Sequence, residues 1–235
     1  RTVTLSVAAS TADAIREIAC LYEQQAVAAG RAVEIMINPG PSSSMANQIL
    51  SGAPADIFLS ANQKWADAVS QQDMAARRRD LLSNRLVLLV PADNPSGVHS
   101  LAGLASQPEV RLALAGEQVP AGMYADQLLA SLDLAERFVA EKRVVRGQSV
   151  RSVLGFVSQG EVAAGVVYAT DARLTDQVEV VEELDSRRHT PIIYPVLLLR
   201  RGAENPDAVE LYDFLQTPAA RQVFEQHGFA VEADR

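Results

Sequence analysis

Four short loops place a serine or a small residue where a predicted strand ends and a predicted helix begins. These loops are Ala8–Ser10, Pro41–Ser43, Val119–Gly122 and Gln148–Val150. The first N–H groups of a helix lack partners within the helix, and the helix dipole gives that end a partial positive charge. Ligands of open α/β sheets bind at the carboxyl ends of the strands, so four converging junctions would form an anion site without Lys or Arg.

The residues that could perform catalysis or bind a metal ion do not form a recognisable pattern. The three histidines, His99, His189 and His227, lie far apart in the sequence, in loop or helix-end contexts. We find no metal-ligand spacing, no Gly-rich phosphate loop and no Gly-x-Ser-x-Gly motif. A Ser/His/Asp arrangement built by the fold stays open, but the pattern favours binding without a cofactor. His227, before Gly228, is predicted to be a cation at a helix carboxyl end.

Strand and helix patterns alternate along the chain, which predicts an α/β fold with mostly parallel strands. Apolar residues at helical spacing predict helices that begin near Ser10, Ser42, Gln63, Met123, Val150, Ala208 and Pro218. Short apolar runs between turn residues predict the strands Val3–Ala9, Val33–Ile37, Asp56–Ser60, Leu86–Val90, Arg111–Ala115, Arg143–Val145, Gly165–Tyr168, Val178–Glu182 and Ile192–Leu199.

Several residues have a local role that their sequence context predicts. Ser10 with Asp13 three residues later resembles a capping box at the start of the first helix. Cys20, the only cysteine, is predicted to be a small buried residue of that helix. Arg77–Arg79 is predicted to be a solvated cluster at a helix end. Asp171 is predicted either to cap the helix after Tyr168 or to order the residues around it.

Composition excludes several classes of protein. Hydrophobic residues make up 48% of the 235 residues and charged residues 21%, as in ordinary globular proteins. No apolar run approaches the roughly 20 residues that a membrane-spanning helix needs. The formal net charge of −8 argues against nucleic acid as a partner. Because the sequence opens directly on a predicted strand, we expect either a processed chain whose signal peptide has been removed or a shortened form of a longer chain.

Six segments, in order along nearly the whole chain, resemble the periplasmic molybdate-binding proteins of ABC transporters. The combination of Gly-Ala-Pro-Ala-Asp before a strand with Val-Pro-Ala-Gly before a tyrosine is more specific than either motif alone. The segments are Ala8–Thr11, Pro41–Ile49, Gly52–Trp65, Val119–Ala125, Gly165–Ala172 and Ile192–Val196.

The resemblance implies an α/β fold of the type II periplasmic binding proteins, with two lobes and two crossover strands at the hinge. Lobe I would comprise residues 1–84 and 195–235, and lobe II residues 85–194. The segments Leu86–Val90 and Ile192–Val196 would be the two crossings. Composition does not change along the chain, so this division depends on the resemblance.

The resemblance also implies a set of ligand-binding residues. In this family an oxyanion is bound by two serine hydroxyls, several backbone N–H groups and one tyrosine hydroxyl. At the matching positions of this sequence, Ser10 and Ser42 would supply the serine hydroxyls. Ala121 and Val150 would supply backbone N–H groups, and Tyr168 would supply the phenol.

One departure from the family pattern concerns the serine run. Pro41 precedes Ser42 where relatives often have another small residue, so Ser43 is the alternative to Ser42 if the register shifts by one. The matched positions contain donors and no carboxylate. A fully deprotonated dianion such as molybdate, tungstate or sulfate fits such a site, whereas hydrogen phosphate would also need an acceptor.

The resemblance implies a periplasmic receptor rather than an enzyme. It would bind molybdate, and also tungstate, between its lobes and deliver it to a membrane ABC permease. It would act as a monomer without a cofactor, and molybdenum would enter as the oxyanion rather than as a bare metal ion. The alternative is an anion- or metabolite-sensing domain, or an enzyme, on a similar α/β scaffold.

Overall fold

The computed structural model describes residues 2–231, which contain eleven strands and eleven α-helices. The strands are β1 (Thr2–Ala8), β2 (Glu34–Gly40), β3 (Ile57–Leu59), β4 (Ala75–Ser83), β5 (Leu86–Pro91), β6 (Leu112–Ala115), β7 (Val144–Gly147), β8 (Ala164–Tyr168), β9 (Val178–Glu183), β10 (Ile193–Leu199) and β11 (Ala230–Val231). The helices are α1 (Ala12–Ala28), α2 (Ser42–Leu50), α3 (Gln63–Gln71), α4 (Leu101–Ala105), α5 (Pro120–Ser131), α6 (Ala135–Ala140), α7 (Val150–Ser158), α8 (Ala169–Ala172), α9 (Arg200–Ala203), α10 (Pro206–Phe214) and α11 (Pro218–Gln226).

The chain divides into two compact units, and the α/β fold predicted from the sequence is confirmed in both. The prediction of mostly parallel strands was wrong, because five of the nine strand pairings in the described residues are antiparallel. Unit 1 comprises Arg1–Ser83 and Ile193–Arg235, and unit 2 comprises Asn84–Ile192. The chain therefore passes between the units at 83/84 and 192/193, where 84/85 and 194/195 were predicted. The predicted crossings at Leu86–Val90 and Ile192–Val196 stay predictions. Within residues 2–231, no helix is long and apolar enough to cross a membrane.

Unit 1 contains a six-stranded sheet in the order β11-β4-β10-β3-β1-β2. Strands β1, β2 and β3 are parallel, whereas β10 runs antiparallel to both β3 and β4. The amino end of β10 therefore lies beside the carboxyl end of β3, where the Ser60 N–H donates to the Pro195 carbonyl at 3.0 Å. This reversal brings residues from the end of the chain to the edge at which β1, β2 and β3 end.

Buried side chains on both faces of this sheet form the core of unit 1. Strand β1 buries Val3, Leu5 and Val7, and α1 covers the sheet with Ile15 and Ile18. Burying each such aliphatic side chain contributes roughly 1.5–3 kcal/mol relative to leaving it in water. The core holds the strand ends, and the loops that follow them, in fixed positions.

Unit 2 contains a five-stranded sheet in the order β7-β6-β8-β5-β9. Strands β6, β7 and β8 are parallel, and β5 runs antiparallel to β8 and β9. Three strands, β6, β7 and β8, therefore end at one edge of this sheet, and the helices α5, α7 and α8 begin there. Both units thus repeat the strand-loop-helix junction that the sequence predicts.

The arginine triplet Arg77–Arg79 lies in strand β4, so its prediction as a helix-end cluster was wrong. Two of its arginines pair with acidic side chains from the neighbouring helices. Arg77 pairs with Asp213 at 2.7 Å and lies over the ring of Tyr212, and Arg78 pairs with Asp67 at 2.6 Å. Pairing with β10 and these contacts outweigh the weak strand propensity of the local sequence.

Cys20 is exposed, so its prediction as a buried residue of α1 was also wrong. The buried face of α1 includes Ile18, Ala19 and Tyr22. Cys20 falls between these positions on the helix and turns toward solvent, where its sulfur accepts a hydrogen bond from Gln24 at 3.3 Å. The helical spacing of the apolar residues is compatible with Cys20 on the buried or on the exposed side of α1. The packing of α1 on the sheet places Cys20 on the exposed side.

Candidate functional site

The carboxyl edge of the unit 1 sheet brings together buried hydroxyl groups from three parts of the chain. Ser10 follows β1, Ser42 follows β2, and Tyr194 lies at the amino end of β10. All three side chains are buried, with relative exposures of 6%, 1% and 0%. We call Ser10, Ser42, Ala61 and Tyr194 the unit 1 edge cluster, because Ala61, just after β3, also contacts it.

Ser10 does not cap a helix, so the predicted capping box with Asp13 was wrong. A single 3₁₀ turn, Ala9–Thr11, separates β1 from α1, and Thr11 becomes the N-cap residue without a side-chain cap bond. The extra turn moves the Ser10 hydroxyl away from the first N–H groups of α1. Ser10 Oγ instead lies 3.1 Å from Tyr194 OH, within hydrogen-bonding distance.

Ser42 is the first residue of α2, and Pro41 is its N-cap. The Ala61 N–H donates to Ser42 Oγ at 2.9 Å, so this hydroxyl accepts from the backbone and keeps its own proton for another acceptor. Ser43 is also buried, at 7% exposure, but Ser42 is the serine tied to the loop after β3.

The loop after β3 was not among the residues predicted for the site. Ser60 Oγ donates to the Asn62 carbonyl at 2.8 Å, and Asn62 Oδ1 caps α3 by accepting from the Trp65 N–H at 3.1 Å. An Asn just before a helical pattern is a known capping signal, so this loop was detectable. Tyr194 had no such local signal, because only the reversed direction of β10 brings it to this edge.

The corresponding edge of unit 2 contains the other three predicted residues. Ala121 is the second residue of α5, Val150 is the first residue of α7, and Tyr168 is the last residue of β8. All three are buried, at 1%, 4% and 1% exposure. Because β6, β7 and β8 are parallel, the junctions that carry these residues lie on one edge of the sheet.

The amino end of α5 is held very close to the preceding strand. Pro120 has no N–H, and the first backbone bond of the helix runs from the Met123 N–H to the Val119 carbonyl at 2.9 Å. The N–H groups of Ala121 and Gly122 therefore precede the helical ladder. A Cβ atom at Gly122 would lie 2.2 Å from the Gly116 oxygen and 2.5 Å from the Ala115 oxygen. Only glycine allows this close approach.

The amino end of α7 carries a capping box formed by two serines. Ser149 Oγ accepts from the Ser152 N–H at 3.2 Å, and Ser152 Oγ accepts from the Ser149 N–H at 2.9 Å. These bonds do not use the N–H of Val150. The cap thus fixes the first turn while the Val150 N–H still points out of the helix end.

Asp171 is completely buried, and Arg151 Nε lies 2.7 Å from its carboxylate. Tyr168, not Asp171, is the N-cap of α8, so the prediction of a capping role for Asp171 was wrong. The ion pair instead ties the first turn of α7, next to Val150, to the short helix after Tyr168. We therefore keep the other predicted role, that Asp171 orders its neighbours, as a proposal.

The candidate donors on both edges are electrically neutral. They are serine and tyrosine hydroxyls and backbone N–H groups, and they lie in a chain whose formal net charge is −8. Hydrogen-bond donors and helix dipoles create a local positive potential that does not depend on net charge. Each edge is thus chemically suited to contact an anion.

Two α/β units, each with donors at the ends of its parallel strands, define the class of two-unit solute-binding proteins. Residues 3–230 match the family described as bacterial extracellular solute-binding protein, and the chain belongs to this family. The family is one of binding proteins and not of enzymes.

Named relatives align over almost the whole chain. The Bacillus subtilis protein YvgL, named as an ABC transporter substrate-binding lipoprotein, is 37% identical over 98% of this chain and 87% of its own length. The molybdate-binding protein ModA of Haemophilus influenzae is 33% identical over 98% of this chain and 90% of its own. The periplasmic molybdate-binding protein of Azotobacter vinelandii shares the fold, with a TM-score of 0.83, 22% identity and coverage of 98% and 100%.

Proposed function

We propose that this protein is an extracytoplasmic receptor that binds molybdate and tungstate and delivers them to a membrane ABC permease. The observation that carries the proposal is the Ala61–Ser42 hydrogen bond, which holds a buried serine at a strand end and leaves its proton available for an anion. The molybdate-binding relative at 33% identity supports the choice of anion. Tungstate is included because it has the same shape and charge as molybdate.

The chemistry of the donors favours a tetrahedral dianion that carries no proton. Hydroxyls and backbone N–H groups can satisfy the oxygens of such an anion without any acceptor. No carboxylate belongs to the unit 1 edge cluster, and in unit 2 the Asp171 carboxylate is paired with Arg151. A protonated oxyanion such as hydrogen phosphate would find no carboxylate to accept its O–H group, and that loss would weaken its binding.

We assign the anion contacts to the hydroxyls of Ser10, Ser42 and Tyr168 and to the N–H groups of Ala121 and Val150. In this proposal units 1 and 2 correspond to lobes I and II, each lobe contributes donors for the anion, and the permease receives the anion from the loaded protein.

The remaining parts of the proposal concern the surroundings of the protein. The family description and the name of the Bacillus subtilis relative support a location outside the cytoplasm and an ABC permease as partner. We propose the periplasm as that location, a monomer as the working form, and no cofactor other than the transported anion.

Isothermal titration calorimetry with four anions tests the proposed function. We expect molybdate and tungstate to bind with dissociation constants of about 1 µM or lower, which corresponds to roughly 8 kcal/mol or more. Sulfate should bind more weakly because it is smaller, and phosphate more weakly still because it carries a proton. If phosphate binds as tightly as molybdate, the site is not built from donors alone and the proposal is wrong.

Replacing the site serines should lower the affinity for molybdate. We expect Ser10→Ala and Ser42→Ala each to cost roughly 1.5–3 kcal/mol, the value of a hydrogen bond to a charged group. Ser44, in the same serine run but exposed, supplies the matched control, and Ser44→Ala should leave the affinity unchanged. An effect of Ser43→Ala in place of Ser42→Ala would move the assignment by one residue.

A further inference from the structure

The hydrogen bond between Ser10 and Tyr194 joins two hydroxyl groups that are 184 positions apart in the sequence. The tyrosine side chain has no exposed surface, and the Phe229 ring packs edge-on against it with the ring centroids 5.5 Å apart. The phenol oxygen is therefore held in one place, 3.1 Å from Ser10 Oγ.

Two proton arrangements are compatible with this distance. In the first, Tyr194 donates to Ser10 Oγ, and the Ser10 proton is directed to another acceptor. In the second, Ser10 donates to Tyr194 and presents only its two lone pairs to its surroundings. An anion without protons stabilises the first arrangement, whereas an anion with an O–H group can also use the second.

Ser42 also takes part in a hydrogen bond, but in this bond the donor is fixed. Its partner is the Ala61 N–H, at 2.9 Å, and a backbone N–H can only donate. The Ser42 proton is therefore not used in this bond and stays available for an anion. The partner of Ser10 is a side chain, so its contribution can be removed by substitution without changing the backbone.

We infer that Tyr194 is a positioning residue that sets Ser10 as a hydrogen-bond donor and thereby selects unprotonated oxyanions over protonated ones. The inference rests on the proposed function, because it concerns the same anion. Tyr194 acts through Ser10 and does not contact the anion itself. Removing its hydroxyl leaves the Ser10 proton without a fixed direction, whereas the Ser10 lone pairs can still accept a hydrogen bond from a protonated oxyanion.

Titrations of molybdate and phosphate against Tyr194→Phe test this inference. In mildly alkaline buffer phosphate is a dianion with one proton, so the two anions have equal charge and differ by an acidic hydrogen. We expect Tyr194→Phe to bind molybdate about fivefold to tenfold more weakly, as for the loss of one hydrogen bond. Phosphate affinity should stay the same or increase, so the ratio of the two affinities should fall at least about fivefold.

A double-mutant cycle shows whether Tyr194 acts through Ser10. In the Ser10→Ala background, Tyr194→Phe should change the affinity ratio by less than about twofold, because the group that it positions is absent. Tyr22→Phe is the matched control, since Tyr22 is also buried in unit 1 and its hydroxyl donates to the Asp207 carbonyl at 3.2 Å. This control should lower the melting temperature and leave the ratio unchanged.

The possible outcomes separate this inference from the proposed function. If the wild-type protein binds molybdate and Tyr194→Phe weakens both anions equally, Tyr194 is a structural residue and the inference is wrong while the function stands. The same conclusion follows if the effect of Tyr194→Phe persists undiminished in the Ser10→Ala background. If the wild-type protein does not bind molybdate, the proposed function itself is wrong.

Discussion

Replacing Arg151 with methionine should destabilise the protein by about 3–5 kcal/mol, the usual cost of leaving a buried charge without its partner. Asp171 has no exposed surface, and its carboxylate lies 2.7 Å from Arg151 Nε. Methionine keeps much of the length of the arginine side chain but removes the cation. Urea denaturation followed by circular dichroism measures the change in the free energy of unfolding.

Two further variants show whether the cost arises from the buried carboxylate. The double variant Arg151→Met with Asp171→Asn should be more stable than Arg151→Met alone, because it removes the uncompensated charge. Arg85→Met breaks an exposed pair of the same unit, Arg85 with Glu183, and should cost no more than about 1 kcal/mol. If Arg151→Met and Arg85→Met lower the free energy of unfolding by the same amount, the buried Arg151–Asp171 pair stabilises the protein no more than an exposed pair does.

Two glycines of unit 2 should respond to alanine with opposite signs. At Gly122 the new Cβ would lie 2.2 Å from the Gly116 oxygen, and a backbone atom cannot move aside as a flexible side chain can. We expect Gly122→Ala to cost about 3 kcal/mol or more. At Gly155, inside α7, the nearest atom to a new Cβ is Gln159 Nε2 at 3.8 Å, so alanine should stabilise the helix by roughly 0.5–1 kcal/mol.

The same pair of variants tests the role proposed for the amino end of α5. Gly122→Ala forces α5 away from the end of β6 and displaces the neighbouring Ala121 N–H. We therefore expect weaker molybdate binding by Gly122→Ala, measured by calorimetry at a temperature where the variant is folded, and unchanged binding by Gly155→Ala. If Gly122→Ala is stable and binds normally, the close approach seen at this junction is not required.

The features of the fold that could be predicted from the sequence are those set by neighbouring residues. Gly30 and Gly52 adopt positive φ, at 74° and 90°, just beyond α1 and α2, and a glycine directly after a helical pattern is a local signal for a helix end. The buried apolar run Leu86–Val90 was predicted as a strand and lies within β5. A left-handed turn or a short apolar run has a local physical cause, so the local sequence is sufficient to predict it.

The features that could not be predicted depend on distant partners. Strand β4 contains the arginines Arg77–Arg79, and only pairing with β10 and ions from other helices makes a strand favourable there. Ser10 was predicted to cap a helix from the residues next to it in the sequence. Its hydrogen-bond partner in the structure, Tyr194, lies 184 positions away and could not be predicted from those neighbours. For the candidate site, resemblance to a family supplied the five assigned positions, while Tyr194 and Ala61 emerged only from the sheet topology.

Unit 1 is assembled from two stretches of chain with the whole of unit 2 between them. As a ribosome releases the chain from its amino end, β3 and β4 emerge long before β10, the strand that separates them in the finished sheet. Unit 2 is continuous and can fold as soon as its last residue is released, since domains generally fold as units. Until β10 is released, the strands of unit 1 have unpaired edges, and these edges can pair with the wrong strands. The partly made protein therefore exposes these strand edges until β10 is released, and it gains its full set of unit 1 hydroxyls only near the end of synthesis.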